Sequence, residues 1–126
     1  MAGAGSQTKV RGLGSAKEGV AHWWAQRLTA VALVPLILWF VVSVIMLAGS
    51  GYGAVYHWLG SPFVSVLMIL MIGAGFYHAQ LGVQVIIEDY VHTGWLKITC
   101  VALVKFAAVT LALASAFAVL MIAFGK

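Results

Sequence analysis

Three long apolar stretches dominate the chain, and short polar or aromatic segments separate them. They cover residues 28–48, 63–87 and 98–124. A helix rises about 1.5 Å per residue, so about 20 residues cross the roughly 30 Å hydrocarbon core of a bilayer. None of the stretches keeps the alternation over about ten residues that barrel strands show. The pattern predicts an all-α integral membrane protein with three transmembrane helices in a single membrane-anchor domain, residues 1–126.

The composition agrees with a bilayer environment. Hydrophobic residues make up 63% of the 126 residues and charged residues only 8%, too few to cover the surface of a soluble domain of this size. Residues 1–15 are rich in Gly, Ala and Ser, which predicts a flexible tail. With Cys100 as the single cysteine, the chain cannot form an intrachain disulfide or a cysteine-built metal site.

The basic residues are distributed unevenly. The loop at residues 49–62 has no Lys or Arg, whereas four basic residues precede the first predicted helix: Lys9, Arg11, Lys17 and Arg27. Such asymmetry is typical of the positive-inside rule, and it predicts a cytoplasmic N-terminus. Three crossings then place the C-terminus in the periplasm. The placement of the basic residues that give the formal net charge of +4 therefore indicates membrane topology and not a nucleic-acid partner.

The second apolar stretch carries an ionisable residue at membrane depth. His78 lies eleven residues before Asp89, hence about 16 Å along the helix axis. Ionisable residues at this depth are costly and are functional candidates by default. At 100° per residue, Gly75 and Gly82 share a face with His78. Glycines beside a histidine leave a flat depression, in which a planar haem can approach the imidazole.

Two interpretations of His78 remain open on the residues alone. It can ligate a haem, or it can hydrogen-bond a neighbouring helix while small residues promote helix packing. Any haem would need its second axial ligand from a partner subunit, because the other histidines lie near helix ends or in loops: His22, His57 and His92. Gln80 and Gln84 lie on the opposite side of the helix, and we expect them to pack on another helix or to line a wet cavity.

Three sequence runs resemble a known family. The run from His78 to Tyr90, HAQLGVQVIIEDY, follows the pattern H-x-x-x-G-x-x-x-x-x-x-D-Y. It is similar to the second helix of the smaller hydrophobic membrane anchor subunit of succinate dehydrogenase, respiratory complex II. The runs GLGSAKEG at residues 12–19 and HWWAQRLTA at residues 22–30 resemble the N-terminal signature of its alphaproteobacterial members. The resemblance covers essentially the whole chain.

This resemblance implies an anchor subunit of succinate:ubiquinone oxidoreductase that helps bind haem b and forms part of the ubiquinone-reduction site. His78 would be one axial ligand of the haem iron. Arg27 would pair with a haem propionate, and so would His22, whose spacing to Arg27 differs by one residue from the family pattern. Tyr90 would donate its hydroxyl to a ubiquinone carbonyl, and Asp89 would orient Tyr90 or take part in proton delivery.

The resemblance also implies partners. These would be the larger cytochrome b anchor subunit, which supplies the other histidine ligand, together with an iron–sulfur subunit, a flavoprotein subunit and the membrane lipid. Succinate oxidation would occur on the partners, because this chain has no dinucleotide fingerprint and no cysteine cluster. A bacterial inner membrane is the expected location rather than a mitochondrial one, because the N-terminal segment keeps the family's own motif.

Other interpretations of the same residues compete with these roles. The chain could be a small accessory or transport subunit of another membrane complex without haem, with His78 and Gln80 lining a polar path. Arg27 could serve only as a topology anchor, Tyr90 as an interfacial aromatic residue and Asp89 as a cap for the following turn. A transporter would be expected to show inverted repeats, broken helices or several intramembrane charges, and the sequence shows none of these.

Overall fold

The computed structural model consists of helices joined by short turns. It describes the backbone of residues 2–125 and the side chains of residues 19–125. Over that backbone there is no β-strand, in agreement with the predicted all-α class. Four helices follow one another along the chain: α1 (Ala2–Leu47), α2 (Tyr52–Leu59), α3 (Pro62–Tyr90) and α4 (Gly94–Phe124).

Three of the helices are long and apolar enough to cross a membrane. The candidate spans are Gly19–Leu47, Pro62–Tyr90 and Gly94–Phe124, in agreement with the three predicted long apolar helices. The helices are longer than the apolar stretches, and the added residues lie at the ends that carry charged side chains. A charged side chain does not end a helix when it lies outside the hydrocarbon, because water can solvate it there. The flexible tail predicted for residues 1–15 lies outside the residues whose side chains are described, and it stays a prediction.

The short helix α2 was not predicted, since the segment at 49–62 was expected to be a loop. Gly49 and Gly51 have φ angles of +83° and +87°, in the left-handed region that glycine enters without steric cost. They turn the chain out of α1 so that α2 can begin. Trp58 of α2 then packs against Trp39 of α1, with ring centroids 5.7 Å apart.

Helix α3 lies in the middle of the fold. Both α1 and α4 pack mainly against it, and α2 contacts α3 and α4. Among residues 19–125, the buried apolar side chains are Leu33, Val64, Leu81 and Val119. Most other large apolar side chains point outward, as expected where lipid tails or partner subunits replace a protein core. The central position of α3 gives its polar residues two neighbouring helices.

Candidate functional site

The first element of the site is a contact between α3 and α1 at His78. His78 is half-buried, and its Nδ1 atom lies 3.0 Å from the hydroxyl oxygen of Thr29 on α1. The same hydroxyl lies 2.8 Å from the carbonyl oxygen of Ala25 and 3.1 Å from that of Gln26. The intramembrane histidine therefore does hydrogen-bond a neighbouring helix, and it does so through one of its two ring nitrogens.

The two glycines on the His78 face have different surroundings. A Cβ atom at Gly75 would lie 3.9 Å from a methyl group of Leu33, whereas a Cβ at Gly82 would meet nothing within 4 Å. A methyl group of Leu33 on α1 thus lies beside Gly75, at one edge of an apolar cleft of about 490 Å³ between α1 and α3, whereas the face beside Gly82 is open. The predicted depression is open on the side of His78 that leads to the Asp89 end of α3.

These surroundings fit a histidine that ligates haem iron. The imidazole nitrogens lie on opposite edges of the ring, so the bond to Thr29 leaves Nε2 to face elsewhere. Nε2 makes no hydrogen bond with any side chain or backbone group of residues 19–125. Within that range no three His, Cys, Asp or Glu side chains converge on one point. Among these side chains, His78 is thus not part of a ready-made protein metal site.

His22 and Arg27 occupy different sides of α1. His22 precedes Thr29 by seven residues, which is two helical turns, and so lies on the same face of α1 as Thr29. Arg27 precedes Thr29 by two residues and so lies on nearly the opposite face. The Nε2 atom of His22 is buried and, among the side chains described, is the one buried polar atom without a hydrogen-bond partner. The guanidinium of Arg27 lies 5.0 Å from the ring centroid of Trp23, a cation–π contact.

Asp89 and Tyr90 form the last turn of α3, and both are exposed. Tyr90 keeps 78% of its accessible surface, and neither side chain bonds another residue in the 19–125 range. The backbone becomes extended at Val91 (φ −98°, ψ 116°), where the chain leaves the helix. The predicted quinone-binding pair is therefore open to a substrate or a partner subunit, eleven residues along α3 from His78.

A mainly apolar groove of about 450 Å³ runs along the other side of α3, between α3, α4 and His22 of α1. Its polar side chains are His22, Tyr77, Gln80, Gln84 and Lys105. Within it, the amide of Gln80 donates to the side-chain oxygen of Gln84 at 2.7 Å. The amide of Gln84 donates to Glu88 at 3.0 Å. The expectation that the glutamines line a cavity is confirmed, although their partners are one another.

The sequence model of one family matches nearly the whole chain. That family is described as the succinate dehydrogenase/fumarate reductase transmembrane subunit, and the match covers residues 6–122. The chain belongs to this family. The matched residues include His22, Arg27, His78, Asp89 and Tyr90, so every predicted site residue lies within the family's own domain.

Relatives of this transmembrane subunit agree with the family. The succinate dehydrogenase hydrophobic membrane anchor subunit of Rickettsia bellii is 35% identical over 97 residues, covering 77% of this chain and 78% of the relative. The protein of the same name from Paracoccus denitrificans is 33% identical over 97 residues, 77% and 75% of the two chains. The succinate dehydrogenase membrane anchor subunit of Reclinomonas americana is 32% identical over 100 residues, 74% and 80%. The resemblance drawn from the sequence runs is confirmed.

One residue of the site was missed by the sequence reasoning. Thr29 belongs to the N-terminal run that carried the resemblance, but its contact with His78 joins residues 49 positions apart. The available signal was a hydroxyl within an apolar stretch of this transmembrane subunit. A threonine in a helix commonly bonds the carbonyl four residues earlier, so that signal alone did not indicate a second partner.

The structure also bears on a transport role for this transmembrane subunit. In that interpretation His78 and Gln80 would line one polar path through the membrane. Gln80 lines the groove between α3 and α4, whereas His78 is absent from its lining and bonds Thr29 at the α1 interface. The two side chains thus lie on different sides of α3, and within the described residues they do not form one path.

Proposed function

We propose that this chain is the membrane anchor subunit of a succinate:ubiquinone oxidoreductase, that it ligates haem b through His78, and that it forms part of the ubiquinone-reduction site. The observation that carries the proposal is the state of His78 at membrane depth. One ring nitrogen is bonded to α1, and the other has no partner among the described residues, beside an open glycine face. A purely structural histidine at this depth would be expected to use both nitrogens.

Haem b would supply a one-electron carrier inside the membrane, and the larger cytochrome b anchor subunit would supply a second histidine to hold it. In this chain His78 would hold the iron through Nε2. His22 and Arg27, near the end of α1 that is expected to be cytoplasmic, would hold the propionates. Arg27 suits that task because a guanidinium stays charged and binds carboxylate through two parallel hydrogen bonds. His22 lines the groove on the other side of α3 from His78, so its part in holding a propionate rests on the resemblance; its Nε2 has no partner among the described residues.

Ubiquinone would bind at the Asp89 end of α3. Its reduction takes two electrons and two protons, so the headgroup must reach water while the tail stays in lipid. Asp89 and Tyr90, exposed in the last turn of a membrane-spanning helix, suit both requirements. The Tyr90 hydroxyl would donate to a quinone oxygen as negative charge develops on it. Asp89 would orient Tyr90 or deliver protons from the aqueous side.

The remaining chemistry would belong to the partners. Flavoprotein and iron–sulfur subunits would oxidise succinate at the cytoplasmic surface of a bacterial inner membrane, and this chain would attach them there. Removal of the chain from cells is expected to move dye-linked succinate dehydrogenase activity from the membrane fraction to the soluble fraction. Activity that stays on the membrane at the wild-type level would contradict the anchor role.

The haem assignment is tested by the reduced-minus-oxidised spectrum of the purified complex. We expect a b-type signal in the wild type that His78→Ala abolishes or shifts. His57→Ala is the matched control, because His57 is an exposed histidine on α2, and it should leave the spectrum unchanged. A signal that survives His78→Ala unaltered would make His78 a packing residue and end the haem assignment.

A further inference from the structure

The hydroxyl of Thr29 has three polar neighbours but only one proton to donate. Two neighbours, the carbonyl oxygens of Ala25 and Gln26 at 2.8 and 3.1 Å, can only accept a hydrogen bond. The third, Nδ1 of His78 at 3.0 Å, can donate or accept, depending on which ring nitrogen carries the proton of the neutral imidazole. The geometry therefore restricts where the proton of His78 can be.

Only one arrangement satisfies all the groups. If the hydroxyl donated to Nδ1, its oxygen lone pairs would face two carbonyl oxygens at close range, which is electrostatically unfavourable. If the hydroxyl donates to its own helix, Oγ1 accepts a hydrogen bond from Nδ1–H of His78 and no repulsive contact remains. The second arrangement puts the imidazole proton on Nδ1 and leaves a lone pair on Nε2, the form that can bind a metal.

Two other hydroxyl residues show that the Thr29 hydroxyl can be fully hydrogen-bonded without His78. Ser43 donates to the Trp39 carbonyl at 2.7 Å and Thr99 to the Trp95 carbonyl at 2.8 Å. In residues 19–125 neither of these hydroxyls has a side-chain partner as well. A helix of this protein can thus satisfy a hydroxyl without help, so the benefit of the contact falls on the histidine. An imidazole N–H within the membrane requires an acceptor.

From this geometry we infer that Thr29 is a positioning residue for the axial ligand of the haem. The inference rests on the proposed function, since it takes His78 as that ligand. Thr29 holds the neutral tautomer that leaves Nε2 available, fixes the plane of the imidazole and strengthens Nε2 as an electron donor. A hydrogen bond from the distal N–H of a metal-bound histidine to a protein acceptor has these effects in other metal sites.

The test uses the complex purified from membranes that carry Thr29→Val, Thr29→Ser or Thr99→Val. Valine keeps the branched shape and loses the acceptor, serine keeps the hydroxyl, and Thr99→Val removes a hydroxyl that has the same backbone bond but no histidine. The readouts are the haem-to-protein ratio, the midpoint potential of the haem and its low-spin ferric electron paramagnetic resonance spectrum.

We expect Thr29→Val to raise the midpoint potential, because a weaker imidazole donor stabilises ferric iron less. Its ferric resonance should shift as the ring plane is released, and haem retention should fall roughly tenfold. Thr29→Ser should restore the wild-type potential and spectrum, and Thr99→Val should match the wild type. If Thr29→Val does not assemble, Thr29→Ala takes its place with the same expectations, since alanine fits any helical position.

A wild-type potential and resonance spectrum in Thr29→Val, alongside loss of the haem signal in His78→Ala, would overturn the role of Thr29 and leave haem ligation intact. A haem signal that persists unaltered in His78→Ala would instead overturn the haem assignment in the proposed function, and the role of Thr29 with it. A serine variant that behaves like the valine variant would also overturn the inference, because the hydroxyl would then not be the active group.

Discussion

The buried amide of Gln80 donates its hydrogen bond to the side chain of Gln84, one helical turn away, at 2.7 Å. Gln80 keeps only 8% of its accessible surface, so this bond satisfies a group that lipid could not. Gln84 in turn donates to the exposed carboxylate of Glu88 at 3.0 Å. The three side chains connect a buried amide to the hydrated end of α3 through bonds within one helix.

Loss of Gln84, the middle residue of these three, should destabilise the protein. Gln84→Leu leaves the Gln80 amide without its acceptor, and an unsatisfied buried polar group costs about 1–3 kcal/mol. We expect a lower thermal unfolding midpoint for the purified complex. The double variant Gln80→Leu with Gln84→Leu should recover part of the loss, because no buried amide then remains unpaired. Glu88→Gln keeps an acceptor and serves as control; equal midpoints for Gln84→Leu and the wild type would contradict the prediction.

The close approach of α1 and α3 at Gly75 should tolerate alanine but not a larger side chain. An added Cβ would lie 3.9 Å from Leu33, an ordinary contact distance. Gly75→Leu would displace α1 at a cost of about 1–3 kcal/mol, typical of overpacking, and would separate Thr29 from His78. We expect haem content per complex to fall in Gly75→Leu and to stay at the wild-type level in Gly75→Ala.

A matched glycine gives the control for that substitution. A Cβ at Gly73 would meet nothing within 4 Å, so Gly73→Leu should assemble with the wild-type haem content. A similar loss of haem in both leucine variants would mean that any bulk on α3 disturbs assembly. The contact between Gly75 and α1 would then have no special part in it.

Tyr90→Phe tests the quinone site. The variant removes one hydrogen-bond donor to a developing oxyanion, so kcat/KM for ubiquinone reduction should fall by roughly 10- to 100-fold. Succinate oxidation with an artificial dye acceptor should remain at the wild-type rate. Tyr52→Phe is the control, because Tyr52 is equally exposed, at 82%, but lies on α2. Unchanged ubiquinone kinetics in Tyr90→Phe would remove Tyr90 from the site.

His22→Phe should act in opposite directions on stability and on haem binding. The buried Nε2 of His22 has no partner in the described part of the chain, and replacing an unsatisfied polar atom with carbon is stabilising by roughly 1 kcal/mol. We expect a higher unfolding midpoint for the haem-deficient complex and a lower haem content after reconstitution. Wild-type haem content in the variant would argue against a propionate contact at His22.

Hydropathy was sufficient to predict the three long helices, because in lipid each span must satisfy its own backbone and must be long and apolar to do so. Helix α2 could not be predicted in this way. Its eight residues are too few to show a helical period. The contact between the rings of Trp39 and Trp58 joins two different helices, and the sequence of α2 alone does not indicate it. The bonds that link Gln80, Gln84 and Glu88 follow the four-residue spacing of helix neighbours, so they were predictable.

The contact between Thr29 and His78 illustrates what a single sequence does not contain. The contact forms only at one relative rotation and shift of α1 and α3. The side chains along both helices determine this rotation and shift. The roles of Arg27, Asp89 and Tyr90 stay predictions for a related reason. Those roles concern a haem propionate and a quinone, and the described contacts, such as that of Arg27 with Trp23, do not test them.

Leu33, Val64, Leu81 and Val119 are the buried apolar side chains of the described residues, a very small interior for three membrane-spanning helices. Its outer apolar surface has to be covered by lipid or by other subunits. A newly inserted copy that found no partner would expose to lipid the groove that Gln80 and Gln84 line and the open face beside Gly82. We expect such an orphan to be recognised and degraded by membrane proteases, so that the cell adjusts its amount to that of the finished complex.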